Sequence, residues 1–295
     1  MQVNPIVKKD LKVLSRSMKI AWAVFAYEAV LGVVFLFALS ILTLSYRYRY
    51  GYLQSYSELQ FLFPIIGGTE VGIVALIMPI MTASAISGEK ERQTFDILLT
   101  TPMKTFNIIL GKNLSALLRV MVFIVASIPI MAVSFTLGGL NWIYLFIYLI
   151  GIMIFAFFAG AIGIFASTFT RKSIVAIIIS YVMYGGFYGI TYVPLMIAAI
   201  LDSVTGGVAS DALLVFSGVA LLINPVMFFI ELFWVMLNEG EGMVAAIFDS
   251  FSINFFINDI VWLIASAIII IGIAILIMYF SSRIIDPIKG KNTRK

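Results

Sequence analysis

Six apolar runs, at residues 20–45, 64–87, 113–137, 142–168, 173–200 and 256–281, constrain this chain more than any other feature. Each exceeds the roughly 20 residues that a helix needs to cross about 30 Å of hydrocarbon. Lipid offers no partner to backbone N–H and C=O groups, so a spanning segment is either a helix or a strand of a closed barrel. These runs are continuous and lack a period of two, which argues against the barrel. Composition agrees, at 62% hydrophobic and 12% charged, where a soluble domain carries about 25% charged residues. The first run is about twice as long as the apolar core of a signal peptide, so it reads as a span. The expected fold is an all-α polytopic membrane protein forming one domain over residues 1–295.

The charges orient the spans. With the N-terminus inside, sixteen of the nineteen Lys and Arg residues fall on the cytoplasmic side, Arg47 and Arg49 fall outside, and Arg119 lies within the third span. That is a strong positive-inside pattern. The stretch 212–237 is also long enough to cross. Crossing would carry the basic tail, 282–295, outside, and Asn224-Pro225 splits the stretch into halves of about 12 residues. The favoured reading is a re-entrant helical hairpin on the outer side, within the loop 201–255; a seventh span is the alternative. "GGLN" at 138–141 reads as a tight turn, and Pro79, Pro129 and Pro194 are expected to kink their helices. Residues 4–19, "NPIVKKDLKVLSRSMK", form a candidate amphipathic elbow with Asn4 as cap and Pro5 at the first helical position. Val7, Leu11, Leu14 and Met18 share one face among basic residues, which suits an anionic membrane surface. The other reading is a solvated basic flank.

Several chemistries lack their residues. The chain has no Cys and no His, which removes thiol chemistry, Ser-His and Cys-His pairs and the usual zinc sites. No catalytic residue and no metal site is expected. No GxxxxGK[ST] occurs, so the chain has no phosphate-cradling loop of that kind.

One passage breaks the apolar pattern. "SGEKERQTFDILLTTPMK", residues 87–104, carries six charges in 18 positions between two spans. On a helix, Phe95, Leu98 and Leu99 form an apolar stripe, Glu89, Arg92 and Asp96 group on another side, and Glu91 falls nearer the stripe. Pro102 stops such a helix. Extended to "SGEKERQTFDILLTTPMKTFNIILGK", the passage resembles the signature of the permease subunits of type-2 ABC exporters: an acidic-basic cluster, a Thr, paired Leu, a small residue and Pro, then Gly-Lys before the next span. "NPIVKKDLKVLSRS" resembles the N-terminal elbow of the same family, and six spans with an outer hairpin before the last fit its fold.

The resemblance implies that the loop 88–112 holds a coupling helix, which docks on a separate ATPase subunit and carries its closure into the membrane. Glu91, Arg92, Thr94, Phe95, Leu98, Leu99 and Pro102 occupy the coupling motif. The partner ATPase would bind ATP and Mg, and this chain would be a transporter subunit without enzymatic activity of its own. A second permease chain, identical or related, would complete the membrane part. The expected place is the plasma membrane of a prokaryote, both termini cytoplasmic, and the expected cargo is an amphipathic or hydrophobic peptide, drug or lipid. An ion-gradient-driven secondary transporter is the alternative; it calls for ionisable groups deep in the membrane and often for internal repeats.

Ionisable groups inside spans are functional candidates. Glu28 lies roughly 13 Å along its helix from Lys19, and Arg119 roughly 10 Å from Lys112. Their similar depth allows an ion pair; Arg119 snorkelling to head groups, a gate and a substrate contact are the other readings. Glu70 is expected near the outer interface. Tyr181, Tyr184, Tyr188 and Tyr192 share one face of the fifth span, which should look inward, either for packing or to line a path. Gly185 and Gly189 lie beside them as a GxxxG packing pair. Ala156, Gly160, Gly163 and Ser167 of span four read as close packing. The outer acids Asp202, Asp211, Glu231, Glu239, Glu241, Asp249 and Asp259 either meet cationic molecules or are what remains where charge rules exclude Lys and Arg.

Overall fold

A computed structural model describes residues 18–50, 56–95, 104–205, 211–238, 242–250 and 258–285. Among these residues there is no strand. The helices are α1 (Met18–Tyr50), a 3₁₀ turn (Tyr56–Phe61), α2 (Leu62–Glu91), α3 (Thr105–Gly138), α4 (Trp142–Phe169), α5 (Ser173–Thr205), α6 (Asp211–Leu222), α7 (Pro225–Leu237), α8 (Met243–Ser250) and α9 (Asp259–Ile285). Six, α1 to α5 and α9, are long and apolar enough to cross a membrane. All six expected spans are therefore present. The elbow segment up to residue 17 lies outside the described residues.

Several boundaries differ from the sequence reading, two of them at the charged loop. Helix α2 continues to Glu91 and α3 begins at Thr105, eight residues before the expected span. Polar turns thus extend both helices beyond their apolar runs, because ladder hydrogen bonds cost nothing extra where the chain leaves the lipid. Helices α2, α3 and α5 continue as helix through Pro79, Pro129 and Pro194.

Helix α4 is the centre of the bundle and packs against α2, α3, α5, α7 and α9. Its small residues explain why. A Cβ on Gly160 would lie 2.0 Å from Asn113 Oδ1, and one on Gly163 2.1 Å from Thr82 Oγ1. Ala156, Gly160, Gly163 and Ser167 are all buried, so the stripe is a packing seam, as expected. With no water to drive apolar faces together, such close approach is what holds membrane helices. Asn113, itself buried, donates to Phe157 O of α4 (3.1 Å) and to Met278 Sδ of α9 (3.4 Å).

The α3–α4 turn is tight, as "GGLN" indicates. Gly139 adopts φ +65° after α3, and Asn141 caps α4 by accepting from Ile143 N. Helices α6 and α7 meet at a 94° bend. Asn224 makes that bend. Its Oδ1 accepts from Val226 N (2.9 Å) and its Nδ2 donates to Thr191 Oγ1 of α5 (2.8 Å), while Pro225 opens α7. Leu222 O, at the end of α6, accepts from Ser266 Oγ of α9.

Candidate functional site

Where α2 ends, three consecutive charged side chains reach three different elements. Glu89 Oε1 accepts from Lys112 Nζ of α3 at 3.2 Å, and Thr94 Oγ1 donates to Glu89 Oε2. Lys90 Nζ donates to Thr168 O at 2.6 Å and to Ser167 O at 3.4 Å, at the end of α4. Glu91 Oε2 accepts from Ser173 Oγ (2.8 Å) and Ser173 N (3.2 Å), at the start of α5. Signs match the helix termini: a cation meets the free carbonyls of α4 and an anion meets the free N–H groups of α5. The last turn of α2 is thereby a hub clamped to α3, α4 and α5.

The chain then turns sharply. Thr94 N donates to Glu89 O (3.0 Å) and Gln93 N to Lys90 O (3.2 Å), with Gln93 at φ +58°. This is the hydrogen-bond pattern of a Schellman cap, with Gln where Gly is usual. A side chain in the left-handed region costs about 1–2 kcal/mol. The hub's bonds over-determine the turn, so the strain is held. Phe95 folds back against the core, under Lys90 Nζ at 5.5 Å from the ring centroid.

Of the motif residues, the structure therefore brings Glu91, Thr94 and Phe95 into one cluster, with Arg92 at its exposed edge. Asp96, Leu98, Leu99 and Pro102 lie outside the described residues. Of the face expected from Glu89, Arg92 and Asp96, the first two stand at the end of α2 and Asp96 lies outside the described residues. Glu89 belongs to α2, and the left-handed turn at Gln93 separates that helix from Thr94 and Phe95. Glu89, Lys90, Lys112 and Ser173 went unassigned from sequence. The charge cluster itself was a signal for the first two, but partners 23 to 82 residues away gave none.

The hub borders a cavity of about 660 Å³ between α2 and α3, whose lining includes Arg92, Lys112, Ser115 and Arg119. Arg119 thus faces this cavity. Glu28 lies elsewhere on α1, its Oε1 buried and without a hydrogen-bond partner. Glu70, expected near the outer interface, has a protein-lined environment. It is wholly buried and accepts from Tyr27 of α1 (2.6 Å), Ser127 of α3 (2.7 Å) and Tyr148 of α4 (2.8 Å), so it knots four helices. Three hydroxyls from three helices satisfy it, which is why a carboxyl can sit there at all.

On α5, Tyr184 is buried, and Tyr181, Tyr188 and Tyr192 are partly buried, so the face looks inward. Tyr181 Oη donates to Leu76 O of α2 at 2.5 Å, a packing role. The Tyr184 and Tyr188 rings meet edge to face at 4.9 Å, and both hydroxyls are buried without a hydrogen-bond partner. Gly185 and Gly189 do not pack within the chain: both are exposed, and a Cβ on either would meet nothing within 4 Å. Of the outer acids, Glu231 is buried and accepts from Val244 N at the start of α8 (2.9 Å), and Asp259 accepts from Gly242 N (3.0 Å). Both have structural roles in holding α8.

Among the described residues, no group of three or more Asp and Glu side chains is arranged to hold a metal ion. A search of curated proteins returned no match. A family model described as "ABC-2 family transporter protein" matches residues 5–283. With nearly the whole chain matched and its helices arranged as above, this multi-pass membrane protein belongs to the ABC-2 transporter family and is a transmembrane subunit of an ABC transporter.

Proposed function

We propose that the chain is the permease subunit of an ATP-driven exporter and that force from a separate ATPase chain enters at the α2 hub. The observation that carries this reading is the clamp. Lys90 and Glu91 attach the turn at 92–95 directly to the ends of α4 and α5, and Glu89 attaches it to α3 through Lys112. A push on the segment after Gln93 moves three spans together as rigid bodies. The basic end of the bundle then faces the cytoplasm of a prokaryote, with both termini on that side. ATP and Mg bind the partner ATPase, in keeping with the lack of a P-loop here.

A second permease chain completes the path. Support comes from α5, where exposed Gly185, Gly186 and Gly189 leave open space beside exposed Val182 and Ile190; small residues on a lipid-facing helix permit close contact with another helix. Helices α6 and α7, about 18–20 Å long at 1.5 Å per residue, enter and leave the outer leaflet as a re-entrant pair. The cargo is an amphipathic or hydrophobic peptide, drug or lipid.

The test is co-purification with a candidate ABC ATPase sought among the neighbouring genes, followed by Phe95→Asp. Loss of ATP-driven transport with membrane insertion intact supports the proposal. Unchanged ATPase association and transport rate would contradict it. The ion-gradient reading has one observation in its favour, the buried carboxyl of Glu70. Transport that persists after ATP depletion and stops with an uncoupler would favour it.

A further inference from the structure

Glu231 and Asp259 each spend one carboxyl oxygen on the start of α8. Glu231 Oε2 accepts from Val244 N and Asp259 Oδ2 from Gly242 N. Their other two oxygens converge on Gly242. A Cβ on Gly242 would lie 2.1 Å from Glu231 Oε1 and 2.2 Å from Asp259 Oδ1, so those oxygens are no farther apart than the two lengths laid end to end. The two side chains are within hydrogen-bonding reach of each other.

Two ionised carboxylates do not satisfy this geometry. Glu231 is 0% exposed, and its Oε1 has no hydrogen-bond donor in the protein. A buried acceptor without a donor is costly, and a second acceptor of like charge beside it adds repulsion. The surrounding helices bring no basic residue near. Helix α7 packs against α4, α6, α8 and α9. Their charged residues are Asp211 of α6, Asp249 of α8, and Asp259 and Arg283 of α9, while α4 has none. Arg283 lies about 36 Å along α9 from Asp259 at 1.5 Å per residue. Tyr148 of α4 gives its hydroxyl to Gly67 O and Glu70.

We propose that Glu231 and Asp259 share one proton and form a pH-sensitive latch, which fastens α8 to α7 and α9 while the proton stays and loosens it when the proton leaves. The single O–H supplies the missing donor. One carboxyl donates, the other accepts, and the pair carries one negative charge instead of two. A proton needs only two oxygens and almost no space. A metal ion calls for more oxygens than this pair offers, and among the described residues no third Asp or Glu joins it. In the unfolded chain both carboxyls ionise freely near neutral pH, whereas the folded pair keeps a proton. The latch is therefore firm at acid pH and weakens as pH rises. The proposal does not depend on coupling to an ATPase, and its test uses none.

Amide hydrogen exchange of the full-length chain in maltoside micelles, read by mass spectrometry and corrected for the intrinsic pH dependence of exchange, tests this. Protection of the peptide covering α8 should fall about tenfold between about pH 5 and about pH 9 in wild type, the effect of a one-unit difference in proton affinity between latched and open states. Protection of α4 should stay constant over the same range and reports that the bundle is intact. Glu231→Gln places a permanent N–H donor against Asp259, and Asp259→Asn does the same from the other side. Each variant should show α8 protection that no longer depends on pH, so one of them suffices if the other fails to run as a single species on gel filtration. Constant α8 protection in wild type, or a wild-type pH dependence that survives in both variants, would overturn the proposal. So would loss of protection at about pH 5 on adding EDTA, which would identify a metal ion as the bridge.

Discussion

Glu91 is exposed, yet both donors of Ser173 converge on one of its carboxylate oxygens. Its neighbour Lys90 turns the other way, to the carbonyls that end α4. Glu91→Gln keeps the shape and removes the charge that matches the N-terminus of α5. The expected result is normal insertion and ATPase association with fewer molecules exported per ATP hydrolysed, read by paired transport and phosphate-release assays. A different residue controls stability. Tyr27 is the hydroxyl by which α1, otherwise largely exposed, joins the Glu70 knot. Tyr27→Phe removes one of three donors and should cost about 1 kcal/mol, seen as a lower melting temperature with the oligomeric state unchanged. Neither role was legible in the chain itself. A residue's partner is written in sequence only when it lies a turn away, and these lie 43 to 82 positions off.

Whole elements were easier to read than their contacts. The six spans follow from run length, and the inward tyrosine face of α5 follows from helical periodicity together with the cost of placing hydroxyls in lipid. The small-residue seam of α4 was also legible, because close packing is the ordinary use of such a stripe. The same logic failed for Gly185 and Gly189. GxxxG marks a surface that permits close approach, but not whether the chain itself supplies the partner. The contrast gives an element-scale test. Gly163→Ala drives a methyl into Thr82 Oγ1 and to 3.2 Å from the backbone N of Ala83; it should cost about 1–3 kcal/mol by overpacking. Gly185→Ala meets open space and should leave the melting temperature of the isolated chain within about 0.5 kcal/mol of wild type in free-energy terms. Thermal unfolding in detergent checks both. The turn after α2 behaves as an element too. Gln93→Gly suits φ +58° and should be tolerated. Gln93→Pro, fixed near φ −65°, should abolish transport while the spans still insert, as protease protection in vesicles would report.

At the scale of the whole molecule, the ties of the bundle differ in kind. At one end, α2, α3, α4 and α5 are tied by side-chain charges into a single block. Elsewhere, the bent pair α6–α7, with Asn224 at the corner, bonds to Thr191 within α5 and Ser266 within α9, and α8 is held by Glu231 and Asp259. Under the proposed coupling, these ties would resist relative movement of α2, α4 and α5 at the charged end and pass displacement applied there along the spans. The absence of Cys makes the decisive measurement straightforward. A single cysteine is placed at position 95, and its reaction with a membrane-impermeant maleimide is followed in inside-out and right-side-out vesicles, with and without the ATPase chain. The expected result is labelling in inside-out vesicles only, slowed when the ATPase is bound. Labelling from the outer face, or a rate that the ATPase leaves unchanged, would contradict the claim that force enters this protein at the end of α2.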